Sequence, residues 1–246
     1  MTDQPRLFER APEDFSAQAL ILSQSNREAA SMLARWREWP GRALALVGAA
    51  GAGKTHMARV WAQANGAAIA PPCANAAQLQ DLLNGSARRL VIDPVEELDE
   101  LALTLVLDLA RDGDGDGAVL LTSREAPAAW AAALPDLRSR LVALPTAYLG
   151  EPDLALLAGV LRRLCRARFL RLDEDVARYC AERMARSFFA AGALAEAIER
   201  AVVRTNGPIS HEIARRALRE LVAQQHVEGY DGEEGASTNA SPRDPP

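Results

Sequence analysis

"ALALVGAAGAGKTH", residues 43–56, is the stretch that decides the fold of this 246-residue chain. Five small apolar residues with strand character run into Gly48-Ala-Ala-Gly51-Ala-Gly53-Lys54-Thr55, which matches the pattern G-x-x-x-x-G-K-[ST]. A helix-period stretch follows at once over residues 54–64 and is stopped by Asn65-Gly66. A strand, a glycine-rich turn and a helix N-terminus in that order make an anion cradle. The free backbone N–H groups of the turn face a phosphate, and small residues let the backbone approach it. In such a cradle Lys54 reaches the β- and γ-phosphates of a nucleotide, and Thr55 ligates Mg²⁺. A plain glycine-rich turn before an ordinary helix is the competing reading, and the order of the elements weighs against it.

Outward from this stretch, short apolar runs alternate with longer helix-period segments as far as residue 144, the pattern of a parallel sheet with crossover helices. The predicted strands are 43–47, 67–70, 89–93, 118–123 and 141–144. Helices are predicted over 54–64 and 95–110. Beyond Pro145 the chain is rich in alanine, leucine and arginine at helical spacing, with Asp153, Asp173, Ser187 and Ser210 as candidate caps. The expected fold class is an α/β domain with a five-stranded parallel sheet, followed by a small all-helical lid. The expected divisions are a flexible tail over 1–12, the nucleotide-binding α/β domain over 13–147, the lid over 148–226 and a disordered tail over 227–246.

"LVIDPVEEL", residues 90–98, carries the second chemical signal. Asp93 ends an apolar strand, where a carboxylate can hold Mg²⁺ through its hydration shell. The neighbour that orients the attacking water in many nucleotide-hydrolysing sites is here Pro94, which has neither carboxylate nor N–H and suits a first helical turn. Glu96 and Glu97 fall in that first turn, where the helix dipole alone favours acids. A displaced catalytic base is the other reading of Glu96 and Glu97.

Composition narrows the class. Apolar residues at 49% and charged residues at 25% are ordinary globular values, so neither a disordered chain nor a membrane protein is favoured. The start "MTDQPRLFER" lacks signal-peptide order, and the expected location is cytoplasmic. Three widely spaced cysteines fit a reducing compartment and read as packing residues; no histidine stands at zinc spacing. A net charge of −5 argues against general nucleic-acid binding. "DGDGDG", 112–117, resembles the start of a calcium loop but lacks the closing glutamate, so it reads as a solvated turn. Arg162, Arg163, Arg166, Arg168 and Arg171 read as a solvated helical face.

Several motifs together resemble the AAA+ domain of the DnaA family, and in particular its short Hda-type regulatory inactivators, over nearly the whole chain. "SNREAASMLARW" (25–36) is similar to the family segment whose asparagine region lies near the nucleotide base, which implies Asn26. "GKTHMARVWA" matches the family's phosphate-loop helix, including His56 after Thr55. "LLTSREAP" (120–127) looks like the sensor 1 strand, with Ser123 near the γ-phosphate. "LPDLRSRL" (134–141) looks like box VII, which makes Arg140 the expected arginine finger, with Arg138 and Arg124 as competitors. The sensor 2 arginine has no clear counterpart; Arg186, just before the helix, is the candidate substitute, and a plain surface arginine is the other reading. "QPRLF" resembles the Q-x-x-L-F clamp-binding peptide, with Gln4 orienting and Leu7 and Phe8 filling an apolar pocket.

The resemblance implies ADP or ATP with Mg²⁺ at Gly48, Gly51, Gly53, Lys54, Thr55 and Asp93. It also implies two partners, the DnaA initiator and the DNA polymerase III sliding clamp. The polar run after Gln225 stands where an initiator has a DNA-binding domain, so no direct sequence-specific DNA binding is expected. A homodimer is left open. The alternatives are a self-hydrolysing AAA+ ATPase such as a helicase loader, and a non-catalytic clamp adaptor.

Overall fold

The computed structural model describes residues 20–84, 88–112, 116–130, 134–205 and 209–230. Strands β1 (Ala43–Gly48), β2 (Ala68–Ile69), β3 (Arg89–Ile92), β4 (Ala118–Ser123) and β5 (Thr146–Leu149) form one sheet in the order β2-β3-β4-β1-β5. All pairings are parallel. β1 and β4 are buried at every position, which is why they read as unbroken apolar runs.

Helices α1 (Arg27–Ala34) and α2 (Lys54–Asn65) cover one face of the sheet. There Trp39 stacks on Trp61 at 5.3 Å and Trp36 meets it edge-on at 6.4 Å. Helices α3 (Ala76–Asn84), α4 (Glu100–Asp112) and α5 (Pro135–Val142) cover the other, packing around Leu79, Leu103, Val106 and Leu137. The helical part comprises α6 (Leu154–Arg166), α7 (Glu174–Ala181), α8 (Phe188–Thr205) and α9 (His211–Tyr230) around its own core of Leu161, Leu194 and Ile198. Asp153, Ser187 and Ser210 cap α6, α8 and α9 by accepting from Leu156 N, Ala190 N and Ile213 N. Among the described residues no helix is long and apolar enough to cross a membrane.

Several expectations change. The run 141–144 is no strand: Leu137 and Leu141 share the buried face of α5, and the fifth strand lies beyond Pro145. Its backbone joins the sheet already at Pro145, whose carbonyl accepts from Ala45 N at 2.9 Å. The sheet therefore ends at Leu149, beyond the expected last strand over 141–144. The predicted helix over 95–110 is two elements. A 3-10 turn covers Val95–Glu97, Leu98 is extended, and Asp99 caps α4 by accepting from Ala102 N at 2.7 Å. Pro94 is itself extended, at φ −91° and ψ 158°, and so does not begin a helix. Among the cysteines, Cys165 and Cys180 are buried, and burial pushes their thiols up to about 12 and about 11; Cys73 is exposed and is no packing residue. Arg168 is not solvated either, since it lies inside the lid within 3.5 Å of Glu196 and 3.4 Å of Glu199.

Candidate functional site

The cradle sits at the carboxyl end of β1, where parallel α/β sheets present their ligands. Gly51 and Gly53 have φ of +74° and +95°, a left-handed backbone that a side chain resists. Lys54 opens α2, and its ammonium lies back across the loop, donating to Gly48 O at 2.7 Å and Ala49 O at 3.0 Å. Burial holds the Lys54 amine below its ordinary value, and the like charge of Arg124 adds to this. Glu96 and Asp93 act the other way. Thr55 is exposed on the first turn, and His56 beside it is half-buried.

Two further strand tips close the site. Asp93, just past β3, accepts from the Thr122 hydroxyl of β4. Ser123 is fully buried, and its Oγ is surrounded: Glu125 N and Trp130 Nε1 each donate to it at 3.0 Å, and its own proton goes to Glu96 Oε1 at 2.9 Å. Arg124 N donates to the same Glu96 oxygen at 2.9 Å. Burial works to raise the Glu96 carboxyl, but the hydrogen bonds from Arg124 N–H, its own N–H and the Ser123 hydroxyl, together with Lys54, hold it below its usual range.

The lid rests directly on the cradle. Phe188 N donates to Gly51 O at 3.0 Å; a Cβ at Gly51 would meet Ser187 Cβ at 2.9 Å, and one at Gly53 would overlap the Phe188 ring. Phe188 belongs to a small apolar cluster with Leu156, Val160, Ala191 and Ile21 that joins the two parts of the chain. Gly53→Ala should therefore destabilise the chain by about 1–3 kcal/mol, from left-handed strain together with overpacking. Urea unfolding measures this, and a change below about 0.5 kcal/mol would mean that the lid is not seated on the loop.

The remaining predicted residues fall around this centre or apart from it. Asn26 is buried, with its amide committed locally: Oδ1 accepts from Ser23 N at 2.8 Å and Nδ2 donates to Ile21 O at 2.9 Å. It shapes the turn that bonds Gly150 N through Ser25 O. Arg186 is exposed, one residue from the Ser187 that touches Gly51. Arg140 lies in the last turn of α5, bonded to Asp108 of α4 and, at 2.7 Å, to Asp136 of its own helix. The Asp108 hydrogen bond raises its pKa further. Because β5 starts opposite Ala45, α5 runs back from the cradle end of the sheet, and Arg140 is carried toward the other end. Gln4, Leu7 and Phe8 lie outside the described residues.

The arrangement of strand order, cradle and helical lid has known counterparts. Domain III of the Thermotoga maritima replication initiation protein DnaA superposes with a TM-score of 0.64 at 17% identity, over 87% of this chain and 98% of that one. The Thermotoga maritima RuvB Holliday junction branch migration motor gives 0.66 at 18%, over 85% and 72%. A DNA replication initiation factor gives 0.57 at 15%, over 80% and 74%.

The fold is that of a P-loop AAA+ protein.

No protein family model matches the chain, and no curated protein matches it. Within this AAA+ frame the residues present fit a nucleotide polyphosphate with Mg²⁺. The left-handed backbone at Gly51 and Gly53 and the Lys54 ammonium already inside the loop suit the phosphates, while Thr55 and Asp93 supply oxygen ligands of the kind Mg²⁺ takes. Bound there, the ion would neutralise charge on the phosphate oxygens.

Sequence reasoning left Glu96 open and missed the contacts of Ser187 and Phe188 with the cradle. For Glu96 a signal existed: Asp99 is a strong N-cap type, and a cap there detaches residues 95–97 from the following helix. For the two lid residues nothing local announces a contact with a loop well over a hundred positions away.

Proposed function

We propose that this chain is an adenine-nucleotide-binding regulator of replication initiation that stimulates ATP hydrolysis by a DnaA partner through Arg140, acting in trans, while Gln4, Leu7 and Phe8 hold it to the sliding clamp. Its own nucleotide, ADP or ATP with Mg²⁺, sits at Lys54, Thr55 and Asp93 and turns over slowly. The observation that carries the reading is the separation of the box VII arginine from its own cradle. α5 is about 12 Å long at 1.5 Å per residue and runs away from the loop, so an arginine in its last turn is of use to a neighbouring subunit rather than to its own site. The shared fold with DnaA domain III supports a partner of the same architecture, since AAA+ surfaces can pair with their like.

The test is reconstitution. With a DnaA partner and DNA-loaded clamp, the protein should accelerate hydrolysis of partner-bound ATP. No acceleration, or brisk turnover by the purified protein alone, would sink the proposal. The tethering part has its own check: Leu7→Ala with Phe8→Ala should abolish retention on immobilised clamp, because two side chains of this kind dominate such a peptide's contact. Retention equal to that of the unaltered protein would refute the tether and leave the arginine reading untouched.

A further inference from the structure

We infer that Glu96 is the water-orienting carboxylate of this chain's own nucleotide site, working from the 3-10 turn in place of the acid that Pro94 displaces. The inference rests on the nucleotide-binding part of the proposed function and deepens it.

Three observations converge. First, the turn Val95–Glu97 buries Val95 and swings Glu96 back to the tip of β4, instead of leaving it on a solvated helix face. Second, Ser123 Oγ and Arg124 N both donate to Oε1, so the carboxylate is fixed in orientation, with Oε2 as its other acceptor oxygen. Third, the Ser123 hydroxyl has one proton and has given it to Glu96, while Glu125 N and Trp130 Nε1 occupy its acceptor side. A buried serine so engaged has no donor left for a phosphate. What stands at the tip of β4 is therefore Glu96, with Ser123 and Trp130 as its support; Ser123 is paired with Val47, the residue before Gly48, so this tip adjoins the cradle.

The step balances. A water oxygen held by Glu96 Oε2 bonds to the γ-phosphorus as the bond from that phosphorus to the β–γ bridging oxygen breaks. ADP leaves with the bridging oxygen, and the water proton passes to Glu96 and on to the phosphate product. Nothing is oxidised or reduced.

The deciding variant is Glu96→Gln. Glutamine keeps a carbonyl oxygen that can accept from both Ser123 Oγ and Arg124 N, so a purely structural role survives the change. Only the charge and the second acceptor are lost. Single-turnover hydrolysis of bound ATP should fall at least about a hundredfold, as expected for loss of a positioned base. Affinity for a fluorescent ATP analogue should stay the same or tighten, and chromatography of denatured protein should find ATP retained by Glu96→Gln where the unaltered protein holds ADP. Ser123→Ala, which removes one of the two supports, should slow turnover about tenfold, corresponding to one hydrogen bond. Two results would overturn the inference: Glu96→Gln turning over at the unaltered rate, or unaltered protein that binds ATP and leaves it intact through a long incubation. A protein that binds no nucleotide at all would instead fail the proposed function, and the affinity measurement tells the two apart.

Discussion

Arg140→Ala should abolish the stimulation of a DnaA partner, lowering the partner's ATP turnover by about three orders of magnitude when loaded clamp is present. The size of the effect separates a finger from a strut. Arg140 is paired with Asp108 and Asp136 in a partly exposed setting, and pairs of that kind contribute little to stability, so a structural role would leave the purified protein slightly softened and the partner fully stimulated. Arg140→Lys should also fail, because the ammonium keeps the charge but loses the planar fork that spans two phosphoryl oxygens. The same two carboxylates hold the guanidinium now, and a phosphoryl group has to replace them. If Arg138→Ala abolishes stimulation while Arg140→Ala does not, the finger belongs two residues earlier, on the exposed side of α5.

The second large effect is expected at Lys54. Lys54→Ala should weaken binding of both ATP and ADP by at least about a hundredfold, from the loss of two charge-assisted hydrogen bonds at about 1.5–3 kcal/mol each. Fluorescent-nucleotide titration measures it. Thermal unfolding in the absence of nucleotide should move little, since without phosphate the ammonium only rests on the carbonyls of Gly48 and Ala49. A variant that still binds ADP normally would remove the cradle from the account.

The legible part of this chain is the part whose physics is local. Residues 43–65 announce themselves because an apolar strand, a glycine turn and a helix start each leave a short-range mark, and the cradle needs nothing from elsewhere. The fifth strand was hidden for the opposite reason. It is four residues long at the sheet's edge, with only Ala147 and Leu149 buried, while the run 141–144 just before it is as apolar and is claimed by α5. Period alone cannot separate a short strand from the end of a short helix. Glu96 sat between two readings, since an acid early in a helix needs no further reason. The structure removes the helix from under it and joins it to Ser123, a residue 27 positions later. The Asn26 amide has a similar history: the family resemblance points it toward a nucleotide base, yet its own bonds are spent on the turn around Ile21 and Ser23.

Gly51 and Gly53 have a consequence for the history of such proteins. The same two positions form the glycine loop and meet Ser187 and Phe188 of the lid. A descendant that had given up nucleotides entirely would still be held to glycine at both places by its lid. In a set of relatives, then, the glycines record how the two halves of the molecule fit together, and the ligand must be inferred from Lys54 and Thr55, whose side chains carry the phosphate and metal chemistry.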